Sequence, residues 1–327
     1  MPFRLTTSRE VLLRCISVVL VVCVTPDVVV AGERYAVIVT GASGGTAYAE
    51  KYQKWRTAFV SLLKDSFGYP EDHVVALGED QVGRRKATRE NVKAALVEVR
   101  ARAVDGDLVL VLLIGHGSAD SEDAKFNLVG PDLSVHEWAD LVKPIRGRLV
   151  FVNGSSGSFP FLAAIAGRNR VVLTANDSDA QQFETRFPEF FINAFTDPAA
   201  DTDKNGKVSI LESFTFASAR VKAAFEQKGQ LATERALLDD TGGGIGRDAD
   251  TPGKDGQVAQ ITYLAPEVPA GAAPEQASLM RRRAELEDRL TVLKSNKDTM
   301  PADRYEQELE QILLDIARLD RQLRAKT

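Results

Sequence analysis

The chain has 327 residues, 44% of them hydrophobic and 27% charged, with 41 Lys and Arg against 46 Asp and Glu for a net charge of −5. That length holds one large or two ordinary domains, and that composition excludes a wholly disordered or collagen-like chain. With no strongly basic domain, a general nucleic-acid binder is excluded as well.

Arg4, Arg9 and Arg14 lead into the apolar run Cys15–Val24, and Ala31-Gly32 follows after Pro26. A basic start, about ten apolar residues and a small-residue exit read as a secretory signal peptide over residues 1–31, and so as a secreted or periplasmic protein. The alternative is an uncleaved N-terminal anchor. Cys23 makes a poor lipoprotein site because Val22 precedes it. The run is short of the ~20 apolar residues that a membrane span needs, so no span is expected after removal of the signal. Cys15 and Cys23 are the two cysteines of the chain. From residue 24 onward there is no disulfide, no Cys-zinc site and no cysteine nucleophile.

Residues 34–40 (RYAVIVT) form a short β-branched run that ends in Gly-Ala-Ser-Gly-Gly, a strand followed by a loop. Tyr52, Trp55, Phe59, Leu62 and Leu63 repeat at helical spacing within residues 48–66. Residues 73–77 (HVVAL) read as a second strand, and Thr88 caps a helix through Val92, Ala95, Leu96 and Val99. Residues 107–114 (DLVLVLLI) are continuously apolar, as a strand covered on both faces must be. Residues 148–152 and 170–175 repeat that signal. Strands alternating with helices predict an α/β fold with a mostly parallel sheet over residues 32–264, with 259–264 as a late strand. Residues 265–277 are a Pro/Ala-rich linker by composition. Within 278–327, Tyr305, Leu309, Ile312, Ile316, Leu319 and Leu323 alternate steps of four and three. That is the seam of a helical hairpin or short coiled coil, expected to fold back on itself or on the α/β domain, with self-association as the alternative.

In open parallel sheets, functional groups gather at the carboxyl ends of strands. The strand at 107–114 runs into Gly115-His116-Gly117-Ser118, and that at 148–152 into Asn153-Gly154-Ser155-Ser156-Gly157-Ser158. Together with the opening Tyr35-Ala-Val-Ile-Val-Thr-Gly-Ala, this pairing resembles the caspase-like peptidase fold, and within it the legumain family of asparaginyl endopeptidases. There one strand ends in His-Gly-Ser and the next in Glu-Ala-Cys-Glu-Ser-Gly-Ser. The resemblance covers residues 35–197. It implies His116 at the general base, the Gly117 amide at the oxyanion and Gly154 at the catalytic cysteine. Glycine carries no nucleophile, so the resemblance implies a pseudopeptidase that works by binding an unidentified protein or peptide. A cysteine returned to position 154 is expected to face the imidazole of His116. The alternative is an active hydrolase using Ser155 or Ser156 with His116. A serine needs a third residue to orient the histidine, and the sequence identifies none. His73 and His136 read as structural or surface residues.

Residues 201–212 (DTDKNGKVSILE) fit the twelve-residue EF-hand loop at its diagnostic positions. Calcium takes six to eight oxygen ligands, which sets the spacing. Asp201, Asp203 and Asn205 supply side-chain oxygens, Lys207 its carbonyl, Ser209 a direct or water-mediated contact, and Glu212 a bidentate carboxylate. Gly206 makes the sharp turn. The competing reading is local structure alone, with Asn205-Gly206 a turn and Ser209-x-x-Glu212 a capping box for a helix over 210–227. It leaves Asp201 and Asp203 unexplained. Calcium is the cofactor expected, and a calcium-dependent structural or assembly protein is a third functional reading. Asp239, Asp240, Asp248 and Asp250 form a second acidic, Gly-rich stretch without the full spacing, expected to be a flexible loop rather than a cation site.

Overall fold

The computed structural model describes residues 32–119, 123–178, 184–251, 253–268, 272–295, 297 and 300–325. The expected signal peptide and both cysteines lie outside the described residues. Residues 32–327 form one compact unit.

The five apolar runs become parallel strands. β1 (Arg34–Thr40), β2 (Val74–Leu77), β3 (Leu108–Ile114), β7 (Arg148–Asn153) and β8 (Arg170–Thr174) lie in the order β2-β1-β3-β7-β8. The short β9 (Leu237–Asp239) closes that edge, antiparallel to β8. β4 (Gly117–Ser118), β5 (Lys125–Phe126) and β6 (Leu133–Ser134) form a small separate sheet. The continuous hydrophobicity of β3 has a direct cause. Leu110, Leu112 and Ile114 point into one layer, and Val109, Val111 and Leu113 into the other.

The first layer is built by α1 (Thr46–Ser61), α5 (Phe187–Ala194) and α6 (Ile210–Glu226), through Trp55, Phe59, Phe187, Phe191 and Phe214. The second is built by α2 (Arg89–Arg102), α3 (Val135–Val142) and α4 (Phe159–Ile165), through Leu96, Trp138 and Phe161. Thr88 caps α2 as expected, its side chain accepting from the Asn91 amide. Past α1 the chain continues to Ser66 with the wider π-type winding. The chain is thus α/β, with a mostly parallel sheet between two helical layers.

Three expectations are corrected. Residues 259–264 are not a strand: Gln257–Gln260 form one helical turn, α7, and Tyr263 makes only an isolated bridge to Ser209. The reason is the buried Asp240 carboxylate, which accepts from the amides of Gly256 and Ala259 at 2.8 Å each and nucleates the turn. The acidic stretch 239–250 is not a loose loop. Asp239 accepts from the amides of Gly242 and Gly244 and Asp255 from those of Asp240 and Thr241, so these carboxylates serve as backbone caps. Finally, the hairpin helix α8 (Pro274–Ser295) begins inside the expected linker, with Pro274 in the first turn, where its missing N–H costs nothing. α8 packs on α9 (Ala302–Arg324) through Leu286, Leu293 and Ile312, and Arg283 of α8 pairs with Asp320 of α9 at 2.9 Å.

Candidate functional site

The strand order reverses between β1 and β3. The crevice beyond their carboxyl ends is where such sheets bind ligands. His116 follows β3 there. Counting in steps of two from Ile114 puts it on the α1 side, half-buried. Its Nε2 lies 3.2 Å from Tyr52 Oη. The ring also packs edge-on against Tyr48, centroids 4.9 Å apart. The helical spacing of α1 brings Tyr48, Lys51, Tyr52 and Trp55 to this wall. The Lys51 ammonium pairs with Glu184 and lies 5.2 Å and 5.3 Å from the ring centroids of Tyr48 and Trp55. Burial, reinforced by the carboxylate of Glu184 beside it, holds the Tyr52 phenol well above its usual range. Tyr52 therefore stays protonated and can only donate or accept a hydrogen bond, not carry charge.

At the end of β7 every expected catalytic atom is engaged or enclosed. Gly154 is fully buried, and its amide donates to Leu113 O at 3.0 Å. A Cβ built on it would overlap Pro188 Cγ and lie 3.1 Å from Leu113 O and 3.2 Å from Pro188 Cβ. The volume a cysteine side chain needs is occupied by the proline ring at the start of α5. A side chain larger than hydrogen at 154 would have to displace that ring. The Ser155 hydroxyl is buried and donates to Asn153 Oδ1 at 2.7 Å. The Ser156 hydroxyl donates to Gly117 O at 3.0 Å and accepts from the Gly117 amide at 3.1 Å. The expected oxyanion donor thus already has a partner. Ser156 locks the two loops together, and Ser155 braces its own loop against Asn153.

Residues 184–187 form a strap over this end of the sheet. The Thr185 hydroxyl donates to Gly154 O, and Glu184 reaches Lys51. Beside the crevice, Arg56 is almost fully buried. Its guanidinium donates to both oxygens of Asp80 at 2.7 Å and to Thr40 Oγ1 at 2.6 Å. Those bonds hold the Asp80 carboxyl below its usual range. Sequence reasoning placed Tyr52 on the apolar seam of α1 but not beside His116, and it missed Glu184, Thr185 and Pro188. No local pattern marks them, because the chain returns to the site about 70 residues after His116. His73 stacks on Tyr35 and bonds Arg34 O at 3.1 Å, and His136 is exposed on α3.

The acidic loop lies elsewhere, before α6. Among the described residues, Asp201, Asp203 and Glu212 form the one group of three such side chains with ligand atoms within 4.8 Å of one another. Gly206 has φ 85°, in the left-handed region that glycine tolerates, and Lys204 has φ 61°. Asp201 accepts from the amides of Asn205 and Gly206 at 3.1 Å each, and Asn205 Oδ1 accepts from Lys207 N at 2.8 Å. The Lys207 ammonium lies 4.4 Å from the Tyr263 ring centroid. Ser209 and Glu212 form the capping box of α6, with Glu212 Oε2 accepting from Ser209 N at 2.9 Å. The other oxygen, Oε1, accepts from Thr202 N at 2.8 Å, which draws the carboxylate back over the loop. Burial, with the charges of Glu212 and Asp201, pushes the Asp203 carboxyl up. The capping box and the carboxylate cluster therefore share Glu212, and the two sequence readings are compatible.

No protein-family model matches the chain, and no curated protein matches it in sequence. Among solved structures, it is similar to the crystal structure of the Drosophila initiator caspase Dronc at 11% identity and a TM-score of 0.41, over 66% of this chain and 81% of that chain.

Proposed function

We propose that this chain is a caspase-like, legumain-related pseudopeptidase that binds a peptide or protein segment in the crevice beside His116 without cleaving it. One observation carries the reading: the place of the nucleophile is filled. Gly154 abuts Pro188, Ser155 and Ser156 are committed to Asn153 and Gly117, and the Gly117 amide is already bonded. A cysteine or serine peptidase needs a free nucleophile beside a base and a free donor for the oxyanion. At the two strand ends Ser155, Ser156 and the Gly117 amide are all engaged, while the aromatic wall of Tyr48, Tyr52 and Trp55 with its Lys51–Glu184 pair lies beside them. Tyr52 orients His116, and the hydroxyls of Ser155 and Ser156 are turned to Asn153 and Gly117 instead of to the imidazole.

The secretory reading and the calcium reading belong to the same proposal. Three carboxylates within 4.8 Å, the left-handed turn at Gly206 and the upward push on Asp203 fit a hard divalent cation. Calcium bound there would neutralise the cluster and stiffen the entry to α6. The test combines two assays on protein lacking residues 1–31. Peptides containing Asn or Asp should remain intact, and a serine-reactive fluorophosphonate should leave the protein unlabelled. Turnover that His116→Ala abolishes would refute the binding reading and promote Ser155 or Ser156.

A further inference from the structure

The wall that carries His116 has a second hollow, a cavity of about 140 Å³ at the carboxyl ends of β1 and β2. Thr40 of β1, Glu79 and Asp80 after β2, and Glu50, Tyr52 and Arg56 of α1 line it. Tyr52 belongs to both places, since its hydroxyl meets His116 Nε2 at 3.2 Å. A chain segment lying beside His116 therefore passes the mouth of this cavity.

The charges of the lining do not balance. Arg56 is the one cation among the lining residues, and its guanidinium is spent on both oxygens of Asp80 and on Thr40. That pair is electrically closed. Glu79 and Glu50 are left over. Glu79 Oε2 accepts from the Ser43 amide at 2.8 Å, and no donor among the described residues meets Oε1. Glu50 is exposed and has no ion pair among the described residues. The carboxylates of Glu50, Glu79 and Asp80 do not converge within 4.8 Å as those of Asp201, Asp203 and Glu212 do, so they do not make a metal cage. Spread acceptors around a hollow suit an organic cation instead. An ammonium carries three donors and a guanidinium five, which can reach separated oxygens while the aliphatic stem lies along Tyr52.

We infer that this cavity receives a Lys or Arg side chain of the bound segment, with Glu79 and Glu50 taking its charge. The inference rests on the binding reading and names its ligand class: a basic peptide rather than an acidic or apolar one. Arg56 serves here by neutralising Asp80 and fixing the ends of β1 and β2, and does not itself meet the ligand.

The test selects phage-displayed random heptapeptides on the full protein and measures a selected peptide by fluorescence anisotropy. Selected sequences should share Lys or Arg at one position. Replacing that residue by norleucine should weaken binding about tenfold, and so should the double variant Glu50→Gln with Glu79→Gln, because exposed ion pairs are individually weak. Glutamine at 79 can still accept from the Ser43 amide, so the fold is kept. The two losses should not add when both changes are made, since each removes the same contact. Glu98→Gln, which removes a remote exposed charge on α2, should leave the affinity unchanged. Selected peptides without a shared basic residue, losses that add, or an equal loss in Glu98→Gln would each overturn this inference while the binding reading stands. A library that yields no binding sequence would overturn both.

Discussion

Returning a side chain to position 154 tests the closed crevice directly. In Gly154→Cys, the Cβ would overlap Pro188 Cγ while lying 3.2 Å from Pro188 Cβ and 3.1 Å from Leu113 O. Comfortable carbon contacts lie at about 3.5–4.0 Å. The site is buried on all sides, so either the proline ring or the end of β7 must move. Overpacking of this kind costs ~1–3 kcal/mol, which corresponds to a fall of about 2–5 °C in Tm for a chain of this size. Pro188→Ala removes Cγ and Cδ but leaves Cβ, so the pair Gly154→Cys with Pro188→Ala should be less destabilised than the sum of the singles, with a coupling of ~1–2 kcal/mol. The assay is thermal unfolding of the four proteins of that cycle, with iodoacetamide labelling of the thiol at neutral pH. Labelling of Gly154→Cys should be slow and indifferent to His116→Ala, because the thiol is enclosed. A variant as stable as the wild type, with a thiol that labels rapidly only in the presence of His116, would show that the position opens toward the imidazole.

Calcium at a hundredfold excess over Kd should stabilise the protein by ~2.7 kcal/mol, raising Tm by roughly 5 °C, and Glu212→Gln should remove most of that shift; an unchanged melting curve at millimolar calcium would sink the metal assignment. Asp80→Asn strips the buried Arg56 guanidinium of its counter-charge and should cost about 3 kcal/mol in denaturant unfolding, the low end for a buried pair, since 31% of the Asp80 side chain remains in water. In the wild type that pair contributes stability above the ordinary aspartate range and loses it as pH falls through the depressed Asp80 value, so the difference between wild type and Asp80→Asn should shrink in acid. In an alkaline ultraviolet titration, Tyr52 and Tyr69, both held up by burial, should ionise only when the chain unfolds; reversible ionisation of all six tyrosines near pH 10 would contradict the packing around His116.

Much of the fold was legible because a strand buried on both faces leaves an unambiguous mark. Residues 108–114 have no polar position at which a helix or a half-exposed strand could face water. The cap at Thr88 and the capping box Ser209–Glu212 were legible for a similar reason, since their chemistry is complete within four residues. β9 was not legible. Three residues make no period, and its pairing with β8 is fixed by the turns that Asp239 and Asp240 cap. The same carboxylates explain why residues 259–264, apolar enough for a strand, wind into a turn instead.

The candidate site was half legible. His116 and the Gly154 loop follow from strand ends that a single sequence displays. Pro188, Thr185 and Glu184 do not, because they arrive from a strap that is remote in sequence and placed by the packing of α5. The consequence for function lies in that division. The glycine at 154 is legible in the sequence, but only the structure shows Pro188 packed where a larger side chain would go. A site that had merely lost its cysteine would keep a cavity beside the histidine and a free amide for the oxyanion. Here the proline ring and the Ser156–Gly117 pair occupy both, while Tyr52 still holds His116 and Lys51 still meets Glu184. The contacts that enclose position 154 are therefore on the same strap as the one that pairs with Lys51, so on the proposed reading the lack of a nucleophile and the wall beside His116 are one structural feature.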